Sequence, residues 1–151
     1  MLHRSVLTQF GLLTVTEKAG AITRLSWGGV AQHDQSDLLD HAAAQLGAFD
    51  AGTLTQFDLP LRVEGTDTLR AVCDAINGIP FGETCTYGDI AKALNIPAQV
   101  VGQACGQNPV PVIIPCHRVM GAKGLTGYSG AGGVETKIAL LRHEGAAGLL
   151  I

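Results

Sequence analysis

The chain has 151 residues, of which 46% are apolar and 15% are charged. This length and composition exclude a disordered chain and fit one domain, or two small ones, around a hydrophobic core. No apolar run reaches the roughly 18 residues of a membrane span, and the first residues lack a signal-peptide pattern, so we expect a cytoplasmic protein with no membrane partner.

The net charge of −3 is distributed unevenly along the chain. Residues 1–83 carry five Lys and Arg against ten Asp and Glu, residues 84–110 carry one charge of each sign, and residues 111–151 carry four basic against two acidic residues. This is not the strongly basic composition of most nucleic-acid-binding proteins. If the chain binds DNA, we expect a small electrostatic contribution, with the C-terminal half facing the phosphates.

The N-terminal part predicts a small strand-rich α/β domain, residues 1–62. Strand-like runs cover residues 6–7, 11–16, 21–27 and 57–63, with a hairpin turn at 18–20. Apolar residues near a helical period predict a helix over residues 36–49, with Ser36 as its N-cap.

The remaining residues, 63–151, predict a mostly helical domain, which makes the whole chain a mixed α/β (α+β) fold. A first helix covers residues 67–78, with one apolar face and Gly78 as its stop. Two short helices follow, one capped by Thr86 and one opened by Pro97 near residues 97–106; together they predict a helix-turn-helix or a plain αα-corner. A last helix is expected over residues 134–144, ended by Gly145.

The tetrapeptide 115–118, Pro-Cys-His-Arg, directly follows the apolar run 110–114, which we expect to be a buried strand. A cysteine is a good nucleophile only as thiolate, and the cationic neighbours His117 and Arg118 favour that form. A reactive Cys116 is therefore one interpretation, and a buried, inert cysteine is the other.

The other cysteines, Cys73, Cys85 and Cys105, form no Cys-x-x-Cys pair with Cys116 or with one another, so we predict reduced packing thiols, and no ligand spacing supports a structural zinc. No Gly-x-Gly-x-x-Gly follows a predicted strand, and no cofactor is expected.

The tetrapeptide and its surroundings resemble the O6-alkylguanine-DNA alkyltransferase family. The resemblance covers residues 65–145 and is carried by collinear motifs at residues 79–91, 108–119, 127–130, 132–137 and 143–145. A set of this kind is far more specific than one short motif.

The resemblance implies DNA repair by irreversible transfer of an alkyl group from O6-alkylguanine, with O4-alkylthymine as a second candidate lesion. Residues 63–151 would form the DNA-binding and alkyl-acceptor domain, and each molecule would act once. The catalytic residues that it implies are Cys116 as acceptor, His117 as base through a water, Glu144 to orient His117, and Tyr87 as proton donor to the leaving guanine.

For binding, the resemblance implies a monomer that contacts alkylated DNA in the minor groove and flips the target base. The residues that it assigns to substrate and DNA are Ala98, Gln99, Asn108, Arg118, Tyr128 and Ser129. Gln99 departs from the family pattern, in which an arginine at this position fills the gap left by the flipped base. Because glutamine is shorter and uncharged, we expect slower repair of duplex DNA. Asn108 would tie the DNA-binding helices to the active-site loop, although an Asn-Pro turn explains it equally well.

Two alternatives stay open at this point. One is a non-catalytic binder of alkylated bases, which the presence of Cys116 disfavours. The other is a thiol enzyme acting on a small substrate, which Gln99 and the uncharged balance of residues 84–110 favour.

Overall fold

The computed structural model describes residues 1–29, 33–121 and 133–146. The chain divides into two compact units, Met1–Glu64 and Gly65–Ile151. Within the described residues there are five α-helices and five strands, which confirms the predicted mixed α/β class. No helix in these three ranges is both long enough and apolar enough to cross a membrane.

The first unit is built on a three-stranded antiparallel sheet. Its strands are β1 (Leu2–Thr8), β2 (Gly11–Lys18) and β3 (Ala21–Trp27), in the order β1-β2-β3. Ala19 and Gly20 connect β2 to β3 with φ values of 49° and 78°. Two positive φ angles are those of a type I′ turn, which matches the twist of the flanking strands and explains the predicted hairpin.

One helix, α1 (Asp37–Asp50), packs against β1 and β2 of this sheet. Its predicted N-cap is confirmed, since the Ser36 hydroxyl accepts a hydrogen bond of 3.0 Å from the backbone N–H of Leu39. The helix buries one apolar face, formed by Leu39, Ala42, Leu46 and Phe49.

The predicted strand over residues 57–63 is wrong. Leu61 makes only an isolated parallel bridge with Ile22. The carbonyl of Pro60 accepts a hydrogen bond of 2.8 Å from Ile22, and Arg62 donates one of 3.0 Å back to Ile22. Pro60 itself has no N–H to donate, so the segment follows the edge of β3 for one residue and cannot extend the ladder.

The second unit begins with α2 (Asp67–Asn77), which ends at Gly78 as predicted. The predicted apolar face is the buried one, and it consists of Leu69, Val72, Cys73 and Ile76. Helix α2 packs against the two helices that follow it in the chain.

These two helices are α3 (Tyr87–Leu94) and α4 (Ala98–Gly106), which pack against each other across a three-residue turn. Thr86 and Asp89 form a reciprocal capping box at the start of α3. Asn95 ends α3 in the left-handed conformation, with φ 56°. The helix-turn-helix predicted from the sequence is therefore present.

The residues around Cys116 are not the strand that the apolar run predicts. Pro111 and Ile114 form only an isolated bridge, and Cys116–Arg118 form a short 3₁₀ helix. The reason is the spacing of prolines: residues 109, 111 and 115 have no N–H for a ladder.

A short parallel ladder joins the segment before α3 to the segment that follows the 3₁₀ helix. Strand β4 (Cys85–Thr86) directly precedes α3, and β5 (Val119–Met120) directly follows the 3₁₀ helix. The last helix, α5 (Val134–Glu144), packs against the 3₁₀ helix and ends at Gly145 as predicted.

Candidate active site

The loop that leads to Cys116 is held from inside by Asn108. This buried side chain accepts a hydrogen bond of 3.0 Å from the N–H of Val110 and donates one of 2.9 Å to the carbonyl of Ile114. It therefore satisfies two backbone groups of a segment that has no strand partner. Between them, Val112 has a φ of 73°, a conformation that costs a β-branched residue free energy and that only a well-fixed loop retains.

Cys116 is the first residue of the 3₁₀ helix and only 4% exposed. Its N–H donates a hydrogen bond of 2.8 Å to the carbonyl of Ile114, so the Asn108-bound loop sets the position of the thiol. A reagent can reach this sulfur only by penetrating below the protein surface.

The three other cysteines are held as neutral thiols. Burial raises the pKa of Cys73 to about 11, and the nearby Cys116 adds to the effect. Burial raises the pKa of Cys105 to about 12, again with a contribution from Cys116. Burial also raises the pKa of Cys85. Because the thiolate is the nucleophile, these three residues are poor competitors for an electrophile at neutral pH.

His117 and Glu144 lie against each other in the interior. Nε2 of His117 is 2.7 Å from Oε2 of Glu144, and neither side chain is exposed. The family resemblance assigned this pair to one relay despite the 26 residues between them, and the structure brings the two side chains together.

The protonation states of this pair follow from their surroundings. Burial lowers the pKa of His117, and the charges of Arg118 and Lys137 act in the same direction against the opposing effect of Glu144. Burial alone would raise the pKa of Glu144, but hydrogen bonds from His117 and Arg118 outweigh it and hold the pKa at about 2. The pair is therefore a neutral imidazole beside a carboxylate.

In that state, Nε2–H of His117 donates to the carboxylate and Nδ1 keeps its lone pair. Nδ1 is buried and has no hydrogen-bond partner among the described residues. A buried nitrogen of this kind is a proton acceptor with no structural use in the described part of the chain, which is the property that a general base needs.

Arg118 is buried inside the second unit, whereas the resemblance implied that it contacts DNA. It is only 7% exposed, and its guanidinium donates to both carboxylate oxygens of Glu144, at 2.8 and 2.9 Å. A third bond of 2.6 Å reaches the carbonyl of Ile79, and the guanidinium carbon lies 5.8 Å from the centre of the Phe81 ring. With these partners Arg118 anchors Glu144 and has little side-chain surface left for a phosphate.

Lys137 is a buried cation that was not among the residues predicted from the sequence. It is 1% exposed, and Nζ donates a hydrogen bond of 2.6 Å to the carbonyl of Val119. Burial lowers the pKa of Lys137, while the charges of Cys116 and Cys105 oppose that shift. The ammonium is thus coupled electrostatically to the candidate nucleophile.

A sequence signal for Lys137 exists in the period of α5. Residues 137, 140, 141 and 144 fall on one helical face and are all buried, whereas Ile138, which we expected on the apolar side, is half-buried. A lysine and a glutamate at the two ends of an apolar stripe indicate buried charges that need partners.

The remaining predicted residues lie at the helix-turn-helix or outside the described residues. Tyr87 is the first residue of α3 and half-buried, and Thr86 before it pairs with Met120 of β5. Ala98 and Gln99 lie exposed in the first turn of α4. Tyr128 and Ser129 lie outside the described residues.

Known proteins with similar sequences include methylated-DNA–protein-cysteine methyltransferases. Residues 67–146 match the family described as 6-O-methylguanine DNA methyltransferase, DNA binding domain. A methylated-DNA–protein-cysteine methyltransferase of Mycolicibacterium paratuberculosis is 40% identical over 94% of this chain and 91% of its own length. One of the same name from Methanosarcina acetivorans is 45% identical over 75% of this chain and 73% of its own length.

Solved structures give the same result. A crystal structure of the Mycobacterium tuberculosis OGT in complex with DNA is 39% identical, with a TM-score of 0.85 over 95% of this chain and 92% of that one. The O6-methylguanine methyltransferase of M. tuberculosis matches with a TM-score of 0.82 and 37% identity over 99% of this chain and 96% of that one. The chain therefore belongs to the 6-O-methylguanine DNA methyltransferase family.

Proposed function

We propose that this protein repairs DNA by transferring an alkyl group from O6 of a guanine to Sγ of Cys116. The observation that carries the proposal is the buried pair His117–Glu144, 2.7 Å apart, next to a buried cysteine whose fellow thiols are held neutral. Family membership supplies the reaction class, and this pair supplies a base for it.

In the first step, the thiol proton of Cys116 passes to Nδ1 of His117. Consecutive side chains of a 3₁₀ helix point about 120° apart, so a water between them would carry the proton. Glu144 stabilises the resulting imidazolium, and Arg118 keeps Glu144 ionised and fixed. Lys137 contributes a positive charge that favours the thiolate.

In the second step, the thiolate attacks the alkyl carbon, the carbon–sulfur bond forms and the bond from carbon to O6 breaks. The electron pair of that bond stays on the guanine, which takes a proton from the phenol of Tyr87, and the imidazolium returns a proton to the tyrosinate through solvent. The product is a thioether, which offers water no good leaving group. Each molecule therefore acts once, and no cofactor takes part.

The 4% exposure of Cys116 supports base flipping. A guanine stacked in a duplex cannot reach a buried sulfur, so we propose that the base leaves the stack, at a cost of a few kcal/mol. Helix α4 would enter the minor groove of the DNA, with Ala98 and Gln99 at its leading end. Tyr128 and Ser129 remain candidates for contacts with the flipped guanine.

The other parts of the proposal concern domains, assembly and location. Residues 63–151 would carry both the DNA-binding surface and the acceptor, and the protein would act as a monomer. A cytoplasmic location fits four cysteines that form no disulfide and a DNA substrate. O4-alkylthymine remains a second candidate lesion.

The test is the loss of O6-methylguanine from an oligonucleotide, measured in duplex and single-stranded form. We expect wild-type protein to convert at most one equivalent, and Cys116→Ala to convert none. Conversion by Cys116→Ala would overturn the proposal. Binding of the modified oligonucleotide without conversion would instead support a lesion binder.

The same assay tests Gln99. The Gln99 amide is shorter than an arginine and carries no charge, so it fills the position of a flipped base less well. We expect Gln99→Arg to accelerate duplex repair by roughly tenfold, about 1.4 kcal/mol, and to change single-strand repair little. An unchanged ratio of duplex to single-strand rates would show that Gln99 does not limit flipping.

A further inference from the structure

Helix α4 repeats a pair of residues, one small and one glutamine, three times on its exposed side. The pairs are Ala98-Gln99, Gly102-Gln103 and Gly106-Gln107, each four residues after the last. Four residues are close to one helical turn, so Gln99 and Gln103 lie on one side of the helix, and Gln107 follows them as its C-cap. All three are exposed, and their side-chain amides make no hydrogen bond within the described part of the chain.

The small residues leave space beside each amide. A Cβ added at Gly102 or Gly106 would meet no atom within 4 Å. The surface between the glutamines is therefore open, and another backbone can approach α4 closely. Val101, Ala104 and Cys105 on the opposite side pack into the core, so the glutamines have no role in holding the helix in place.

This surface is almost uncharged. Helix α4 contains no Asp, Glu, Lys or Arg, and α3 contains only Asp89 and Lys92. Asp89 is used in the capping box with Thr86. Lys92 is exposed and borders an open groove that Asn95 and Pro97 also line. Between them, the two helices offer a phosphate one cation.

The chemistry of a carboxamide suits the minor groove. An amide carries both donors and acceptors, and the edges of the base pairs there present acceptors at every pair and a donor at G·C pairs. Four helical residues span about 6 Å, close to the ~7 Å of two base-pair steps. One amide for every second base pair is therefore a geometric match.

We propose that Gln103 and Gln107, in line with Gln99, form an amide face that binds the DNA minor groove on the flank of the lesion through uncharged hydrogen bonds. The inference rests on the proposed function, because it identifies how the same DNA-binding surface holds its substrate. Lys92 supplies the phosphate contact of this surface. The affinity for DNA consequently depends only weakly on salt concentration. The binding also tolerates different DNA sequences, since an amide can hydrogen-bond the minor-groove edge of A·T and of G·C pairs.

The test is the affinity for an unmodified duplex, measured by fluorescence anisotropy over a series of salt concentrations. With one phosphate neutralised, we expect the logarithm of affinity to fall with the logarithm of salt with a slope near −1. Gln103→Ala should weaken binding about three- to tenfold at an unchanged slope, since one uncharged hydrogen bond is lost. Gln103→Lys should steepen the slope by about 1.

The matched control is Gln56→Ala, an exposed glutamine of the first unit, which should change neither affinity nor slope. A wild-type slope of about −4 or steeper would overturn the inference, because charge would then dominate. So would unchanged affinity in Gln103→Ala. Alanine favours helix, so a loss of binding in that variant does not come from unfolding of α4, and a melting curve checks this.

A parallel reaction of wild-type protein with the free base O6-benzylguanine separates this inference from the proposed function. Alkylation of Cys116 by the free base together with unaltered duplex binding by Gln103→Ala would refute the amide face and leave the proposed function intact. Weakened binding by Gln103→Ala without any alkylation would support the amide face and refute alkyl transfer.

Discussion

Glu144 receives hydrogen bonds from both residues that follow the candidate nucleophile. His117 approaches Oε2 through Nε2 at 2.7 Å, and Arg118 reaches both carboxylate oxygens at 2.8 and 2.9 Å. One carboxylate thus fixes the orientation of the base and balances a buried guanidinium. The short 3₁₀ helix that presents these residues is thereby tied to the end of α5.

Replacing Glu144 by glutamine should destabilise the protein and slow alkyl transfer. The substitution leaves the guanidinium of Arg118 buried without its counter-charge, which costs on the order of 3–5 kcal/mol. Glu135→Gln, an exposed residue of the first turn of α5, is the control and should cost less than about 1 kcal/mol. Urea unfolding at neutral pH measures the free energy of unfolding of both variants. A loss of stability in Glu144→Gln no larger than in the control would contradict this account.

Acid should destabilise the protein in two stages. The pKa of His117 is lowered from 6.5, so the unfolded chain binds a proton before the folded one does, and stability falls as the pH drops below about 6.5. The pKa of Glu144 is lowered from 4.5 to about 2, which adds a loss of roughly 3 kcal/mol between those pH values.

Denaturant titrations from neutral pH to pH 3 measure this dependence. Glu144→Gln should lose the part that begins near pH 4.5, while Glu135→Gln should keep it. Stability that rose on acidification below pH 6.5 would show that His117 is charged in the folded protein.

Lys137 should control the reactivity of Cys116. Two unit charges several ångströms apart interact by roughly 1–4 kcal/mol near a protein surface, so losing the ammonium should slow the reaction of Cys116 with iodoacetamide at neutral pH by on the order of tenfold. Lys137→Met should regain most of the rate at higher pH, where the thiolate forms without help.

Lys18→Met is the control, because Lys18 pairs with Glu64 at the surface of the first unit. Peptide mapping should find the label on Cys116, with Cys73 and Cys105 protected as thiols. A Lys137→Met variant that stays slow at every pH would indicate a purely structural role for the lysine.

Asn108 should be worth more than an ordinary surface asparagine. Asn108→Ala leaves the N–H of Val110 buried without a partner and removes one of the two hydrogen bonds that the carbonyl of Ile114 accepts, which costs about 1–3 kcal/mol. Asn108→Asp keeps the acceptor for Val110 but sets a buried carboxylate oxygen against the carbonyl of Ile114, so it should also lose stability. Asn77→Ala, at the exposed end of α2, should be close to neutral. Equal unfolding free energies for Asn108→Ala and Asn77→Ala would rule out the bridging role.

The helices of this protein were predictable because their signals are local. Thr86 caps α3, Gly78 ends α2, and the buried face of α2 has the period of an α-helix. The strand predicted before Cys116 was wrong because an apolar composition indicates burial but not backbone conformation. Prolines at 109, 111 and 115, together with the Asn108 side chain, decide the backbone there.

Some residues of the candidate site were predicted before the structure, and others were not. The resemblance named Cys116, His117 and Glu144, and the structure brings His117 and Glu144 into contact. It did not reveal that Arg118 is an internal anchor or that Lys137 is buried, because a charged residue is expected at the surface unless its partner is known. Those partners come from Ile79, Val119 and Glu144, which are distant in sequence and meet only in the folded chain.

The most direct test of alkyl transfer is to follow the methyl group onto the protein. Wild-type protein is mixed with an excess of duplex DNA containing O6-methylguanine, and the intact and peptide masses are measured over time. We predict one methyl group per chain, on the peptide that contains Cys116, with no further gain after the first equivalent. Methylation of another cysteine, or repair of the DNA without any change in protein mass, would contradict the account.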